Sequence, residues 1–267
     1  MRVTAVARAR RERCGLTRSG QPLKADEGRA ERRVGSGQLL TRATKHPTIY
    51  CLRGRGRESL RQGVSEQEIN ENHERFADRT ALLKRHGYDS VEANAFILRQ
   101  LPSVTGTILE IGSGKGRFLL ELLARGHVVI SVDIDHTEQR FARLNVAHER
   151  LGERVRFLQA DATCLPFGDT GFGTIVSVNA LHHFTDWKPL LNELLRVVDP
   201  RGTLLLADFN ETGYAVLDRI YSGEGKVHNR SVYKVEDIAD VLRKRGWRVR
   251  TTEADCQWVL VARQLFS

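Results

Sequence analysis

The feature that most constrains the fold is the alternation of short apolar runs and helix-like segments between residues 107 and 263. Apolar runs such as TILEI at 107–111 and VVISVDI at 128–134 flank segments with helical spacing, for example GRFLLELLARG at 116–126. Repeated strand–helix–strand units give parallel strands with helices on both faces of the sheet. We therefore predict an α/β fold, a doubly wound, mostly parallel seven-stranded sheet of the Rossmann-like kind.

The last two apolar segments, WRVRTTEA at 247–254 and CQWVLVAR at 256–263, follow each other almost directly. A parallel connection needs a crossover of about a dozen residues or more, which is not available here. These segments are expected to form an antiparallel C-terminal hairpin at the end of the sheet.

The positive charge of the chain is concentrated at its N-terminus. Residues 1–64 hold 16 of the 42 Lys and Arg residues but 5 of the 33 Asp and Glu residues. The remainder of the chain has 26 basic and 28 acidic residues. The body is therefore nearly neutral and lacks the basic footprint typical of nucleic-acid binding. Arg-rich stretches without apolar periodicity do not bury enough surface to order themselves, so residues 1–64 are predicted to be a disordered basic extension.

Three interpretations of this extension remain open. It is a flexible arm that contacts nucleic acid or acidic surfaces, an Arg-rich organellar transit peptide, or a segment absent from the native product because translation begins at a later, non-AUG codon. Met1 is the single methionine of the chain, so a later start has no AUG codon to use.

Residues 65–267 are predicted to form one domain, in which helices at 66–101 cap the sheet. Ser65 with Glu68 three residues later has the spacing of a helix cap. The chain has no apolar run of about 18 residues, so no membrane-spanning helix is expected. Its four cysteines form no CxxC pair, which favours reduced thiols in a cytoplasmic protein, with neither disulfides nor zinc.

The segment ILEIGSGKGRF at 108–118 combines a strand, a glycine turn and a helix start. Glycines at alternate positions allow a ligand to approach the backbone closely, next to the free N–H groups of a helix N-terminus. The spacing is GxGxG, with Arg117 where the dinucleotide fingerprint has its last glycine, and no Lys-Ser/Thr follows as in a P-loop.

Carboxylates stand at the ends of three successive strands. Glu110 precedes the glycine turn, Asp133 ends the second strand, and Asp161 followed by Ala162 ends the third. Ligands bind at this edge of parallel sheets, where an acid after the second strand can accept hydrogen bonds from ribose hydroxyls. A carboxylate after the third strand can accept one from an adenine amine.

The motifs LEIGSGKG, VDID, ADATCLPF, IVSVNALHHF and DPRGTLLLAD, in this order and spacing, resemble those of the class I S-adenosylmethionine-dependent methyltransferases of the small-molecule type. The resemblance covers roughly residues 73–263. It implies that S-adenosyl-L-methionine is the cofactor. By the resemblance, the glycine turn faces its methionine part, Asp133 its ribose and Asp161 its adenine, and Asn179 lies beside the methyl group. The predicted cofactor-binding residues are Glu110, Gly112, Ser113, Gly114, Gly116, Asp133, Ile134, Asp161, Ala162 and Asn179. Gly173 departs from the family, which often has Asp there.

The sulfonium methyl is already activated, so the protein mainly aligns the reactants and excludes water. If the acceptor carries a proton, a base is needed, and His183 after the fourth strand is the predicted catalytic residue. His182 is expected to have a structural role, either packing against its neighbours or forming a hydrogen bond with a loop. A metal site formed by His183, His228 and Asp208 lacks recognisable ligand spacing, so no metal is predicted.

The acceptor is expected to contact the helices at 66–100 and the long connection at 208–234, where Tyr214, Tyr221, Glu224 and His228 are candidates. The segment SVNAL stands where methyltransferases that act on nucleobase amines have an NPPY-like tetrad, which favours a small-molecule acceptor as partner. Two alternatives stay open: methylation of RNA or a ribosomal component, targeted by the basic extension, and a non-catalytic regulator that binds the cofactor. The oligomeric state is not predicted.

Overall fold

The computed structural model describes residues 64–104, 106–228, 230 and 233–264. Within them, seven strands form one sheet: β1 (Ile108–Ile111), β2 (Val129–Asp133), β3 (Val155–Gln159), β4 (Phe172–Val178), β5 (Val198–Phe209), β6 (Trp247–Ala254) and β7 (Gln257–Gln264). The helices are α1 (Glu66–Arg85), α2 (Ser90–Gln100), α3 (Arg117–Ala124), α4 (His136–His148), α5 (Trp187–Val197), α6 (Glu211–Gly223) and α7 (Val235–Lys244), with short 3-10 turns at Gly152–Arg154 and Leu181–His183.

The strand order is β3-β2-β1-β4-β5-β7-β6. Strand β1 pairs in parallel with β2 on one side and β4 on the other, and all four of its residues are buried. The chain winds outward in both directions from β1 and β4, and such a reversal of strand order opens a crevice at the carboxyl ends of the strands. The predicted doubly wound α/β fold is confirmed.

The last two strands form the predicted hairpin. Strand β7 pairs antiparallel with both β6 and β5, for example at Leu206 and Leu260, so it lies between its hairpin partner and the parallel strands. Leu206 is almost completely buried and Leu260 completely so. The hairpin is therefore an integral part of the sheet core.

Two N-terminal helices cover the carboxyl end of the sheet. The side chain of Ser65 caps α1 by accepting a hydrogen bond from the Glu68 backbone N–H (3.1 Å), as the spacing predicts. The buried Asn72 of α1 donates to Asn145 of α4 over 2.8 Å, which links the two helices. Beyond α1, Tyr88 packs its ring edge against Phe209, with centroids 5.3 Å apart.

The predicted extension at 1–64 lies outside the described residues except for Val64, so the proposed boundary stays a prediction.

The connection at 208–234 is not one long loop. It contains α6, whose first turn is capped by Asn210, which accepts a hydrogen bond from the Gly213 backbone N–H over 2.9 Å. The apolar positions of α6 pack with Leu83 and Tyr88 in one cluster. This helix therefore joins α1 in covering the strand ends.

Cys256 is free and buried. Cys14 and Cys51 lie outside the described residues. Among the helices that the structure describes, none combines the length and apolar character needed to cross a membrane.

Candidate functional site

A cavity of about 990 Å³ opens at the carboxyl ends of the strands. Its wall includes the turn after β1, the end of β2, the segment after β3, the segment after β4, and parts of α1, α3 and α6. Nine of the ten predicted cofactor-binding residues line it, as does His183: Glu110, Gly112, Ser113, Gly114, Asp133, Ile134, Asp161, Ala162 and Asn179. The sequence therefore locates this side of the cavity well.

The glycine turn takes a backbone conformation that side chains rarely adopt. Gly112 and Gly114 have φ values of 85° and 44°. A Cβ at Gly112 would lie 2.4 Å from the Cβ of Ala180, whereas no heavy atom lies within 4 Å of a Cβ built at Gly114. Gly112 thus permits close packing of β1 against the segment after β4, and Gly114 leaves open space at the cavity wall.

Gly116 has a different role from its neighbours. It does not belong to the cavity wall, and a Cβ there would lie 3.2 Å from the Cβ of Ala142 in α4. It also precedes α3, in a left-handed conformation with φ 83°. Its geometry favours helix packing, and its predicted contact with the cofactor stays a prediction.

Asp133 links the glycine turn after β1 to the end of β2 through a hydrogen bond. Its Oδ2 accepts a hydrogen bond from the Gly114 N–H over 2.8 Å, and its Oδ1 accepts one from the Asp135 N–H over 2.9 Å. The next residue, Ile134, is 68% exposed although it is apolar. An exposed apolar side chain beside a carboxylate suits a ligand with a flat ring and a neighbouring hydroxyl-bearing group.

Asp161 is held by the residue that follows Ala162. Its Oδ1 accepts from the backbone N–H of Thr163 (2.8 Å) and from the Thr163 hydroxyl (2.7 Å). Ala162 between them is buried. The second carboxylate oxygen, Oδ2, has acceptor capacity to spare for a ligand at the cavity wall.

Glu110 is a buried carboxyl group at the end of β1, 2% exposed. The Ser131 hydroxyl donates a hydrogen bond to its Oε2, and the Ser113 and Ser131 hydroxyl oxygens lie 2.6 Å apart. Burial raises the pKa of Glu110 to about 8, and the charge of Asp133 adds to this, against the effect of the Ser131 hydrogen bond. A cationic group bound in the cavity would favour the ionised form.

Asn179 and Tyr88 meet at the cavity wall. Asn179 follows β4 with φ 54°, and its Nδ2 donates to the Tyr88 hydroxyl over 3.2 Å. The Nε2 of Gln257 donates to the same oxygen over 3.1 Å. Burial raises the pKa of Tyr88 to about 12, so the phenol keeps its proton. The sequence analysis missed Tyr88, since a single tyrosine between two helices carries no motif.

The two adjacent histidines occupy different environments. His183 lies at the cavity wall. Partial burial of its ring lowers the pKa of His183, and the neighbouring His182 lowers it further. His182 is buried and also lines the cavity, and its Nδ1 lies 2.8 Å from Oδ1 of the fully buried Asp208. Asp208 thus bonds His182 rather than His183. The base role of His183 stays a prediction.

The acceptor residues predicted from the long connection divide into two groups. Tyr221 and His228 line the cavity, whereas Tyr214 and Glu224 do not. Glu224 forms an ion pair with Arg79 of α1, which does line it. The sequence analysis also missed Arg117, whose guanidinium carbon lies 4.3 Å from the centre of the Phe76 ring.

A group of possible metal ligands lies apart from the cavity, at His73, His148 and Glu149. The two imidazole rings are stacked, with centroids 3.6 Å apart and planes inclined by 7°. Nearly parallel stacked rings direct their nitrogen lone pairs side by side, not toward a common point, so this arrangement is a ring contact between α1 and α4.

Comparison with known proteins now adds to this geometry. A family model described as a methyltransferase domain matches residues 109–206. This match supports the resemblance to methyltransferases that the sequence motifs indicate. The methyltransferase match runs from β1 to β5 and includes the glycine turn, Asp133, Asp161 and Asn179. Tyr88, Asp208 and His228 lie outside it.

Proteins of known sequence and structure are similar to parts of this chain. The chain is 32% identical over 117 residues to the ubiquinone/menaquinone biosynthesis C-methyltransferase UbiE of Azotobacter vinelandii, covering 43% of this chain and 46% of that protein. It is 30% identical over 144 residues to the demethylmenaquinone methyltransferase of Clavibacter sepedonicus, covering 54% and 58%. The chain thus spans about half the length of the curated relatives it matches.

The structure of phosphoethanolamine N-methyltransferase 2 from Haemonchus contortus in complex with S-adenosyl-L-methionine shares the fold, with a TM-score of 0.54. The sequence identity is 17%, and the match covers 79% of this chain and 60% of that one.

Proposed function

We propose that this protein binds S-adenosyl-L-methionine in the cavity and transfers its methyl group to a small-molecule acceptor. The observation that carries the proposal is the set of three carboxylates, Glu110, Asp133 and Asp161, which line one wall around the open space at Gly114. This wall fits a cationic nucleoside: ribose hydroxyls and an adenine amine are hydrogen-bond donors, and the methionine end carries positive charge.

Each residue of the wall has a defined task in this proposal. Asp133 accepts from the ribose while it holds the glycine turn, Asp161 accepts from the adenine, and Ile134 supports the ring. Glu110 faces the positive end of the cofactor. When bound, the cofactor supplies an activated methyl group on sulfur. The chain itself contributes orientation and the exclusion of water, and α1, α2 and α6 cover the cavity for that purpose.

The acceptor is proposed to be small because the cavity has a limited volume and is covered by helices. Methylation of RNA would require an open, basic surface, and the described domain is nearly neutral in composition. A regulator that only binds the cofactor does not need the three histidines, His182, His183 and His228, that also line the cavity. Location in the cytoplasm remains a prediction.

Release of S-adenosylhomocysteine in a screen of small-molecule acceptors tests the proposed transfer. We expect at least one acceptor class to give release above that of the protein alone, and RNA fragments to give none. Binding of the cofactor without release for any acceptor would favour the regulator instead.

Asp133→Ala is expected to weaken S-adenosylhomocysteine binding by roughly 1.5 to 3 kcal/mol, because hydrogen bonds to a charged, partly buried group are lost. Calorimetric titration measures the change. Asp199→Ala, which removes a carboxylate bonded to the Arg201 backbone N–H away from the cavity, is the matched control and should bind normally. Unchanged affinity in Asp133→Ala would remove Asp133 from the site.

A further inference from the structure

His182 and Asp208 form a buried pair at the cavity wall. His182 follows β4 in the 3-10 turn Leu181–His183, and Asp208 lies near the end of the neighbouring strand β5. Asp208 accepts three N–H groups, from the His182 backbone (2.9 Å), the His182 ring Nδ1 (2.8 Å) and the Phe209 backbone (2.8 Å). A carboxylate with three donors is well satisfied in the interior.

The pairing fixes the orientation and tautomer of the imidazole. Because Oδ1 of Asp208 lies against Nδ1, the neutral ring of His182 carries its proton on Nδ1, and Nε2 is then the nitrogen with a free lone pair. His182 is 7% exposed and lines the cavity. The pair therefore offers a fixed proton acceptor at this wall, supported by a negative charge behind it.

The surroundings of His182 are formed by other rings. The centroids of His183 and His228 lie 4.1 and 5.2 Å from that of His182, and Phe209 lies at 5.8 Å. Tyr221 lies 4.9 Å from His228. Burial, with the positive potential of His182 and His183, lowers the pKa of His228 to about 4, so that ring stays neutral. Two further ionisable groups face His182: Asp208, which is bonded to its ring, and Tyr214, whose ring centroid lies 6.2 Å away.

His228 has a further property. Its Nδ1 is buried and has no hydrogen-bond partner among the described residues. An unsatisfied buried polar atom is costly, and a polar group of a bound molecule would satisfy it. A wall of rings with one such nitrogen suits a flat molecule that carries polar substituents.

On the basis of the proposed function, we propose that the acceptor is a hydroxylated aromatic compound and that His182, oriented by Asp208, removes the proton of its phenolic hydroxyl. A phenol ionises near pH ~10 and an aliphatic alcohol far higher, so only the phenol is within reach of an imidazole base. The ring stacks within the aromatic wall, and the hydroxyl faces Nε2 of His182.

The reaction balances without any further reactant. The O–H proton passes to Nε2, and the phenolate oxygen forms a bond to the methyl carbon. The carbon–sulfur bond breaks, and its electron pair stays on the sulfur of the neutral thioether product. The imidazolium formed is stabilised by Asp208 and releases its proton to solvent after the product leaves. His182 acts as the catalytic base and Asp208 as a positioning residue.

The test uses 4-nitrophenol as the probe, because its anion is yellow and its ionisation is visible without turnover. The full chain is saturated with S-adenosylhomocysteine, and the absorbance of bound probe is followed across pH. We expect wild type to ionise the probe at a lower pH than free solution does. His182→Gln should abolish this shift, and Asp208→Asn should reduce it.

His127→Gln is the matched control, since His127 lies outside the cavity wall, and it should behave like wild type. S-adenosylhomocysteine affinity within about twofold of wild type shows that a variant is folded, and Asp208→Asn replaces His182→Gln if the latter fails this check. With a phenol that the wild type methylates, His182→Gln should lower turnover by ~10²-fold or more, the usual contribution of a general base.

Three results would overturn the inference. One is a protein that binds S-adenosylhomocysteine but neither binds nor ionises the probe, and another is normal ionisation in His182→Gln. The third is a loss caused by His183→Gln while His182→Gln keeps the shift, which would make His183 the base. Failure to bind S-adenosylhomocysteine at all would instead refute the proposed function on which the inference rests.

Discussion

Replacing Gly112 with alanine is expected to lower the free energy of unfolding by roughly 2 to 4 kcal/mol, the largest effect we predict for a single added methyl group. The new Cβ would lie 2.4 Å from that of Ala180, and the residue would keep a φ of 85°. Both the segment after β4 and the glycine turn would have to move. Urea denaturation measures the loss.

Gly114→Ala is the matched control for that experiment. Its φ of 44° is also positive, but no heavy atom lies within 4 Å of the added Cβ. Only the conformational cost of about 1 to 2 kcal/mol should remain, whereas binding of S-adenosylhomocysteine should fall because the methyl group occupies the cavity wall. Equal destabilisation by the two variants would contradict the distinction between a packing glycine and a ligand-facing glycine.

Glu110→Gln is expected to change how stability depends on pH. The pKa of Glu110 is raised from 4.5 to about 8 in the folded chain. Between these values the folded state binds a proton that the unfolded state has lost, so the stability of the wild type falls as pH rises. Glutamine cannot ionise, so the variant should gain relative to wild type between pH ~5 and ~8, by an amount on the order of a few kcal/mol.

Denaturation at several pH values, without ligand, checks this prediction. Glu121→Gln on the surface of α3 removes a carboxylate paired with Arg125 and serves as the control, because its side chain is partly exposed. Its difference from wild type should be nearly constant over the same range. Parallel curves for Glu110→Gln and wild type would mean that Glu110 is ionised in the folded protein.

The sequence is sufficient for the parts of the molecule that depend on local periodicity. Apolar runs and helical spacing predict the strands, the hairpin and the crevice, and residues that end consecutive strands must meet at one edge. Glu110, Asp133 and Asp161 are therefore identifiable without coordinates. The motif-based resemblance to methyltransferases can be seen for the same reason, since its motifs lie at these strand ends.

The rest of the site depends on contacts between distant segments. His182 and Asp208 are 26 positions apart, and a 3-10 turn decides which of two adjacent histidines faces the carboxylate. Gly116 is indistinguishable from Gly114 by spacing, yet it meets Ala142 of a helix that follows later in the chain. Tyr88 reaches the cavity because α1 folds over the sheet, which no local pattern specifies.

The central claim is that the carboxylate-lined wall binds S-adenosyl-L-methionine, and direct calorimetric titration tests it best. The full chain is titrated separately with S-adenosyl-L-methionine, S-adenosylhomocysteine and NAD. We predict saturable binding of both sulfur nucleosides and none of NAD, because Arg117 replaces the last glycine of the dinucleotide fingerprint. Binding of NAD with no affinity for either sulfur nucleoside would contradict the account.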